Sequence, residues 1–137
     1  MRVQLSVYSL REAEGDRDEI RFTVSGEFVP TAEGGVITYQ DPGEGMEGTA
    51  TTLTAAKNSV TIENKGALNS CLTVEQGKRH MCRYDTGCGV LALEITGEQI
   101  QNHLSSHPKT LEFIYTLSIQ GGKSRHTLRL ELRPTIG

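Results

Sequence analysis

Leu111-Glu-Phe-Ile-Tyr-Thr-Leu-Ser-Ile-Gln-Gly-Gly-Lys-Ser-Arg-His-Thr-Leu-Arg-Leu-Glu-Leu132 is the stretch that decides the fold. Large apolar side chains fall on every second residue on either side of Gly121-Gly122. Alternation of this period places one face of each segment toward a core. Paired glycines tolerate the positive φ of a tight hairpin turn. With those two glycines as the loop, Leu117 faces His126, Tyr115 faces Leu128, Phe113 faces Leu130 and Leu111 faces Leu132. The other face sets Ser118 against Arg125, Thr116 against Thr127 and Ile114 against Arg129. A slip of one residue would send the apolar row into water, so the register is well specified. The same register sets Glu112 against Glu131, a like-charge pair that nothing in the sequence offsets.

The pattern repeats outward along the chain. Val3, Leu5 and Val7 alternate with polar residues; Ile20, Phe22, Val24, Gly26 and Phe28 follow after a polar segment, Arg11 to Asp18, that reads as a loop. Pro30 to Gly35 is a turn and Val36 to Gln40 a short strand. Asp41-Pro42-Gly43-Glu44-Gly45 is a loop signal, and Thr49 to Ala56 is rich in β-branched residues. Further strands are expected at Val60 to Glu63, Leu68 to Glu75, Lys78 to Tyr84 and Gly89 to Ile95. Gln76-Gly77 serves as a hairpin loop between two of them. Residues 97–106 read equally as a bent strand or as one or two helical turns, because Ile100 and Leu104 are four apart. About ten strands with short connections make an antiparallel meander. Closing such a sheet removes both free edges and buries its apolar face, so a barrel is favoured over a two-sheet sandwich.

Length and composition agree. The chain has 137 residues, enough for one domain spanning residues 1–137 with a core of its own. Its net charge of −3 argues against a nucleic-acid partner, which would need clustered lysine and arginine. Arg125, Arg129 and Arg133 share one strand face and read as solvated. The first residues alternate rather than forming an apolar leader, and the longest apolar run, Val90 to Leu93, cannot span a membrane. Three cysteines, an odd number, fit a reducing compartment. A cytoplasmic protein without a membrane partner is therefore expected.

The familiar chemistries have no frame here. No Cys-x-x-Cys pair is present, although Cys82, Cys88 and His80 lie close in sequence. A two-residue loop at Gln76-Gly77 would set Cys71 opposite Cys82 and Thr73 opposite His80, still without a zinc signature. No Gly-x-Ser-x-Gly elbow frames a serine. Glu12, Glu14, Asp16 and Asp18 fall in the polar segment, where solvent keeps carboxylates ordinary. The glycines of Gly43-Glu-Gly45-Met-Glu-Gly48 do not open a helix after a strand, so they are no phosphate cradle. The expectation is of no catalytic residue, no metal and no cofactor.

One resemblance spans nearly the whole chain. Tyr39-Gln-Asp, Gly48-Thr-Ala-Thr-Thr-Leu, Val60-Thr-Ile, Gly66 and Tyr84-Asp-Thr-Gly-Cys-Gly-Val-Leu-Ala-Leu-Glu-Ile-Thr96 follow one another as in the YwiB-like family, an uncharacterised bacterial domain of unknown function. The chain departs from it at Asn64, nearest to the position where the family often carries arginine, and at Ser70, where the family tends to large apolar residues. The resemblance implies a calycin-like, lipocalin-like antiparallel barrel and no particular activity.

The barrel interior remains as the candidate site. Phe22, Phe28, Leu91, Leu93, Phe113, Tyr115 and His126 are predicted to point inward. Apolar walls with a few polar anchors suit a small, partly apolar ligand, although small barrels also fill themselves with side chains. The expected function is a non-enzymatic, lipocalin-like binding barrel. The alternative is a filled barrel acting as an interaction or structural module, including as a homodimer.

Overall fold

A computed structural model describes residues 1–42, 48–66, 69–85 and 89–135. The described residues form ten strands and no helix. In chain order they are β1 (Arg2–Ala13), β2 (Asp16–Pro30), β3 (Gly35–Gln40), β4 (Ala50–Ala55), β5 (Ser59–Lys65), β6 (Asn69–Glu75), β7 (Arg79–Asp85), β8 (Val90–His103), β9 (Lys109–Ile119) and β10 (Gly122–Pro134). Each is antiparallel to its neighbour in sequence, and β1 pairs with β10, so the sheet closes on itself. Up-and-down order puts the β1/β2, β3/β4, β5/β6, β7/β8 and β9/β10 connections at one end, called the upper end below.

The final hairpin keeps its predicted faces but not its predicted partners. Its loop is Gln120-Gly121, because Gln120 itself takes a positive φ of 48°. Tyr115 therefore pairs with His126, Phe113 with Leu128 and Leu111 with Leu130. Moving the partner by two residues leaves every inward side chain inward. It also removes the like-charge conflict: Glu112 lies opposite Arg129 and accepts a 2.6 Å hydrogen bond from its Nε.

Two further expectations are corrected. The polar segment Arg11 to Asp18 is not a loop. It is the paired ends of β1 and β2 around Glu14-Gly15, with Arg11 and Asp18 joined at 3.1 Å across the ladder. Between β6 and β7, only Asn69 with Asp85 and Ser70 with Tyr84 pair. Cys71 is accordingly exposed and Cys82 buried, so the predicted opposition of these two cysteines does not exist. Cys88 and the Gly43–Glu47 part of the glycine segment lie outside the described residues.

Residues 97–103 resolve as a bent strand. β8 continues to His103 through a bulge between Gly97 and Gln99. Gly97 is required there because a Cβ would land on the carbonyl oxygen of Glu75. That close approach lets Gly97 exchange backbone hydrogen bonds with Gly77 (2.9 Å) and Lys78 (3.0 Å). Those bonds hold the β6/β7 connection where β6 and β7 themselves scarcely pair. The bulge turns Ile100 and Leu104 into the core, and the Asn102 amide closes the lower end by donating to the carbonyls of Glu33 (3.0 Å) and Ala56 (2.9 Å).

The lower interior is packed with apolar side chains. Leu5, Ile37, Leu53, Val60, Val74, Leu111, Phe113 and Leu130 are buried without measurable exposure. At about 1.5–3 kcal/mol for each large apolar side chain removed from water, this layer dominates the favourable side of folding. The fold is therefore a single all-β antiparallel barrel.

Candidate functional site

Above the packed layer the inward row changes character. Ile37, Leu53, Ile62 and Leu72 lie side by side across β3–β6; the next inward row toward the upper end is Tyr39, Thr51, Asn64 and Ser70. These side chains are chained in one direction. The Thr51 hydroxyl donates to Asn64 Oδ1 at 2.7 Å, and Asn64 Nδ2 donates to Ser70 Oγ at 3.0 Å. The residues that depart from the family resemblance, Asn64 and Ser70, are thus partners of one another. Thr49, next in the alternation, is fully buried, and its hydroxyl has no hydrogen-bond partner among the described residues. A buried polar atom in that state costs about 1–3 kcal/mol.

The facing wall is aromatic. Phe113, Tyr115 and His126 form a stack that climbs from the core at Phe113 to Tyr115 and then crosses to His126, the partner of Tyr115 on β10. Ring centroids are 6.1 Å apart at 17° for the first pair and 4.9 Å apart at 8° for the second. Ser124 Oγ lies 2.8 Å from His126 Nε2 and fixes the imidazole from the rim side. Phe22 spans the β2/β3 boundary and meets Tyr39 at 6.2 Å. Burial pushes the Tyr115 phenol up to about 12, and burial followed by the charge of Asp41 raises Tyr39 further still. Burial, then the nearby Arg11 guanidinium, lowers the pKa of His126. All three rings are therefore uncharged at neutral pH.

The predicted site residues divide between floor and rim. Phe28 and Phe113 are buried in the core cluster, where they pack rather than line open space, and Leu93 is buried outside it. Phe22 and Tyr115 pack against that core while staying partly exposed, and His126 is half-buried beside them. Leu91 faces the barrel from the start of β8 and is half-buried outside the main cluster. Sequence reasoning missed Tyr39, Thr49, Thr51, Asn64 and Ser70. A signal for the threonines was present: Thr49 and Thr51 continue the alternation of Leu53 and Ala55.

Other surfaces offer less. A cleft of about 390 Å³ on the outer face of β10, β1 and β2 holds Tyr8 beneath the Arg21 guanidinium, 4.4 Å from its ring centre. Its charges are already matched, Arg21 with Glu19 at 3.6 Å and Arg129 with Glu112. Arg125 and Arg133 likewise reach Glu98 and Glu131, each at 3.0 Å, in keeping with a solvated face. Among the described residues no group of three His, Cys, Asp or Glu could hold a metal ion. No helix among them is long and apolar enough to cross a membrane.

A family described as "Domain of unknown function (DUF1934)" matches residues 5–131. The chain belongs to this family. No curated protein matches. Among solved structures, the "ywiB protein from Bacillus subtilis" superposes with a TM-score of 0.81 at 19% identity, over 97% of this chain and 92% of that one. At that identity the likeness concerns the fold, and it extends the barrel described above to a second chain of the same architecture.

Proposed function

We propose that the protein is a non-enzymatic barrel that binds a small, partly apolar molecule at its upper end. One observation carries this reading: the Phe113–Tyr115–His126 stack rises out of a filled core and presents uncharged aromatic faces at the rim. Opposite it lies the oriented hydroxyl–amide chain of Thr51, Asn64 and Ser70. Apolar walls with a few placed polar groups are the usual make-up of small-molecule sites. Because the lower half is packed, this reading puts the site at the mouth rather than throughout the interior as expected from sequence. The ligand it suits is one with an aromatic or aliphatic body and one or two hydrogen-bonding groups, carrying no charge into the rim. A calycin-like or lipocalin-like role in a reducing, cytoplasmic setting fits this reading, and the free thiols Cys71 and Cys82 accord with it.

Native mass spectrometry of the purified protein, followed by titration with the uncharged fluorescent probe N-phenyl-1-naphthylamine, tests it. A retained mass or saturable one-to-one probe binding is expected, weakened by Tyr115→Leu and by His126→Ala in variants that melt cooperatively. A bare mass together with no saturable binding would sink the proposal.

A further inference from the structure

On its β1 side, β2 is laddered from Asp16 to Glu27, whereas on its other side it meets β3 only from Gly26 onward. The backbone of Asp16–Ser25 therefore has one free edge among the described residues. Ile20, 57% exposed, sits at its centre. We propose that this edge pairs antiparallel with the same edge of a second copy of the chain, about a two-fold axis passing between the two Ile20 residues.

The charge pattern selects that register. A two-fold axis perpendicular to the sheet pairs residues of the same face. Centred on Glu19, it would set Glu19 against its own copy and Arg17 against Arg21. Centred on Arg21, it would oppose two guanidiniums. Centred on Ile20, it sets Ile20 against Ile20 and Glu19 against Arg21 twice, with no like-charge pair anywhere along Asp16–Val24; the exposed Glu19, held within its own chain by Arg17 at 3.3 Å and Arg21 at 3.6 Å, would share its charge with the copy's Arg21. Centred on Phe22, it avoids clashes but brings Asp18 onto Gly26 and Arg17 onto Glu27, both already laddered to β3. Charged residues on an edge normally block indiscriminate strand addition. Here they exclude the neighbouring registers and leave one. Opposite charges and apolar pairs directly across a ladder are each favourable, and the two-fold counts each ion pair twice.

Sedimentation velocity of the full chain over a wide concentration range reads the association. A reversible dimer is expected. Glu19→Arg and Arg21→Glu should each weaken it by about tenfold, because each places like charges opposite one another at two symmetric positions. The double reversal E19R/R21E should restore it. Ile20→Lys offers a test that leaves the ion pairs alone and should also weaken the dimer. Thermal melts monitored by circular dichroism establish that each variant is folded. A wild-type monomer at every concentration would overturn the proposal and leave the edge to a strand from another protein. A dimer indifferent to Ile20→Lys and to both single reversals would equally overturn it, as would a folded double reversal that stays monomeric.

Discussion

Gly97→Ala is the most incisive test of how the barrel wall is held between β6 and β8. The added methyl would meet the Glu75 carbonyl oxygen and lie 2.6 Å from its carbon, both main-chain atoms that no rotamer change can move. The β6/β7 connection must withdraw, and the hydrogen bonds from Gly97 to Lys78 and from Gly77 to Gly97 stretch or break. Two such bonds are worth about 1–3 kcal/mol together. Loosening the packing of Val74, which is fully buried on the same strand, adds about 1 kcal/mol. A loss of about 2–4 kcal/mol corresponds to a fall in Tm of roughly 6–15 °C for a domain of this size. Gly121→Ala is the control. Gly121 has a φ of 84°, and a methyl added there would find nothing within 4 Å, so only the left-handed backbone is penalised. That is about 1–2 kcal/mol, or roughly 3–7 °C. Far-UV circular dichroism is the assay of choice, since the chain has no tryptophan. If Gly97→Ala melts within about 2 °C of wild type, or no lower than Gly121→Ala, the role given to the close approach is wrong.

Two more outcomes follow from buried groups at the upper end. His126 has a lowered pKa in the folded state, so as pH falls through its unfolded value near 6.5 the unfolded chain takes up a proton first. Stability contributed by the neutral imidazole is therefore complete above about 6.5 and is lost between there and the lowered folded pKa; His126→Phe, which keeps a stacking ring, should flatten the melting temperature against pH in that window, and an unchanged slope would dismiss the idea. Thr49→Val removes a buried hydroxyl that has no partner among the described residues and should raise stability by about 1 kcal/mol in chemical denaturation; a loss of similar size would mean that the hydroxyl is satisfied.

The fold was legible because period-two alternation is a local signal that survives errors of register. The last hairpin illustrates this: its inward row is correct although its loop is Gln120-Gly121 rather than Gly121-Gly122. What misled was the preference for glycine at positive φ, when Gln120 takes that conformation itself. The unexplained pair Glu112 and Glu131 was the clue, since moving the loop gives Glu112 the partner Arg129. Charged composition hid the outer halves of β1 and β2, which stay strands because each residue from Arg2 to Ala13 has a ladder partner, whatever its polarity. At the candidate site, the aromatic wall was readable from alternation. The Thr51–Asn64–Ser70 chain was not, because it joins three strands, and alternation gives the faces of each strand but not the register between them.

The ladder between β1 and β10, running from Val3 with Pro134 to Ala13 with Ser124, differs from every other in the ring. Each of the rest joins strands adjacent in sequence, so each can form from its own short segment of chain. Among the ladders, the one between β1 and β10 is the one that joins distant parts of the sequence. Without it the same ten strands are an open meander with two edges, and Leu5, Leu130 and Leu132 lose the neighbours that bury them. Closure entropy grows slowly with the length closed, about 0.6 kcal/mol per doubling, and a meander already zipped strand by strand presents a loop far shorter than its residue count. Closing the ring therefore adds little entropy loss once the local hairpins exist. A one-dimensional succession of turns becomes, at that single seam, a molecule whose inside and outside are defined everywhere around its circumference.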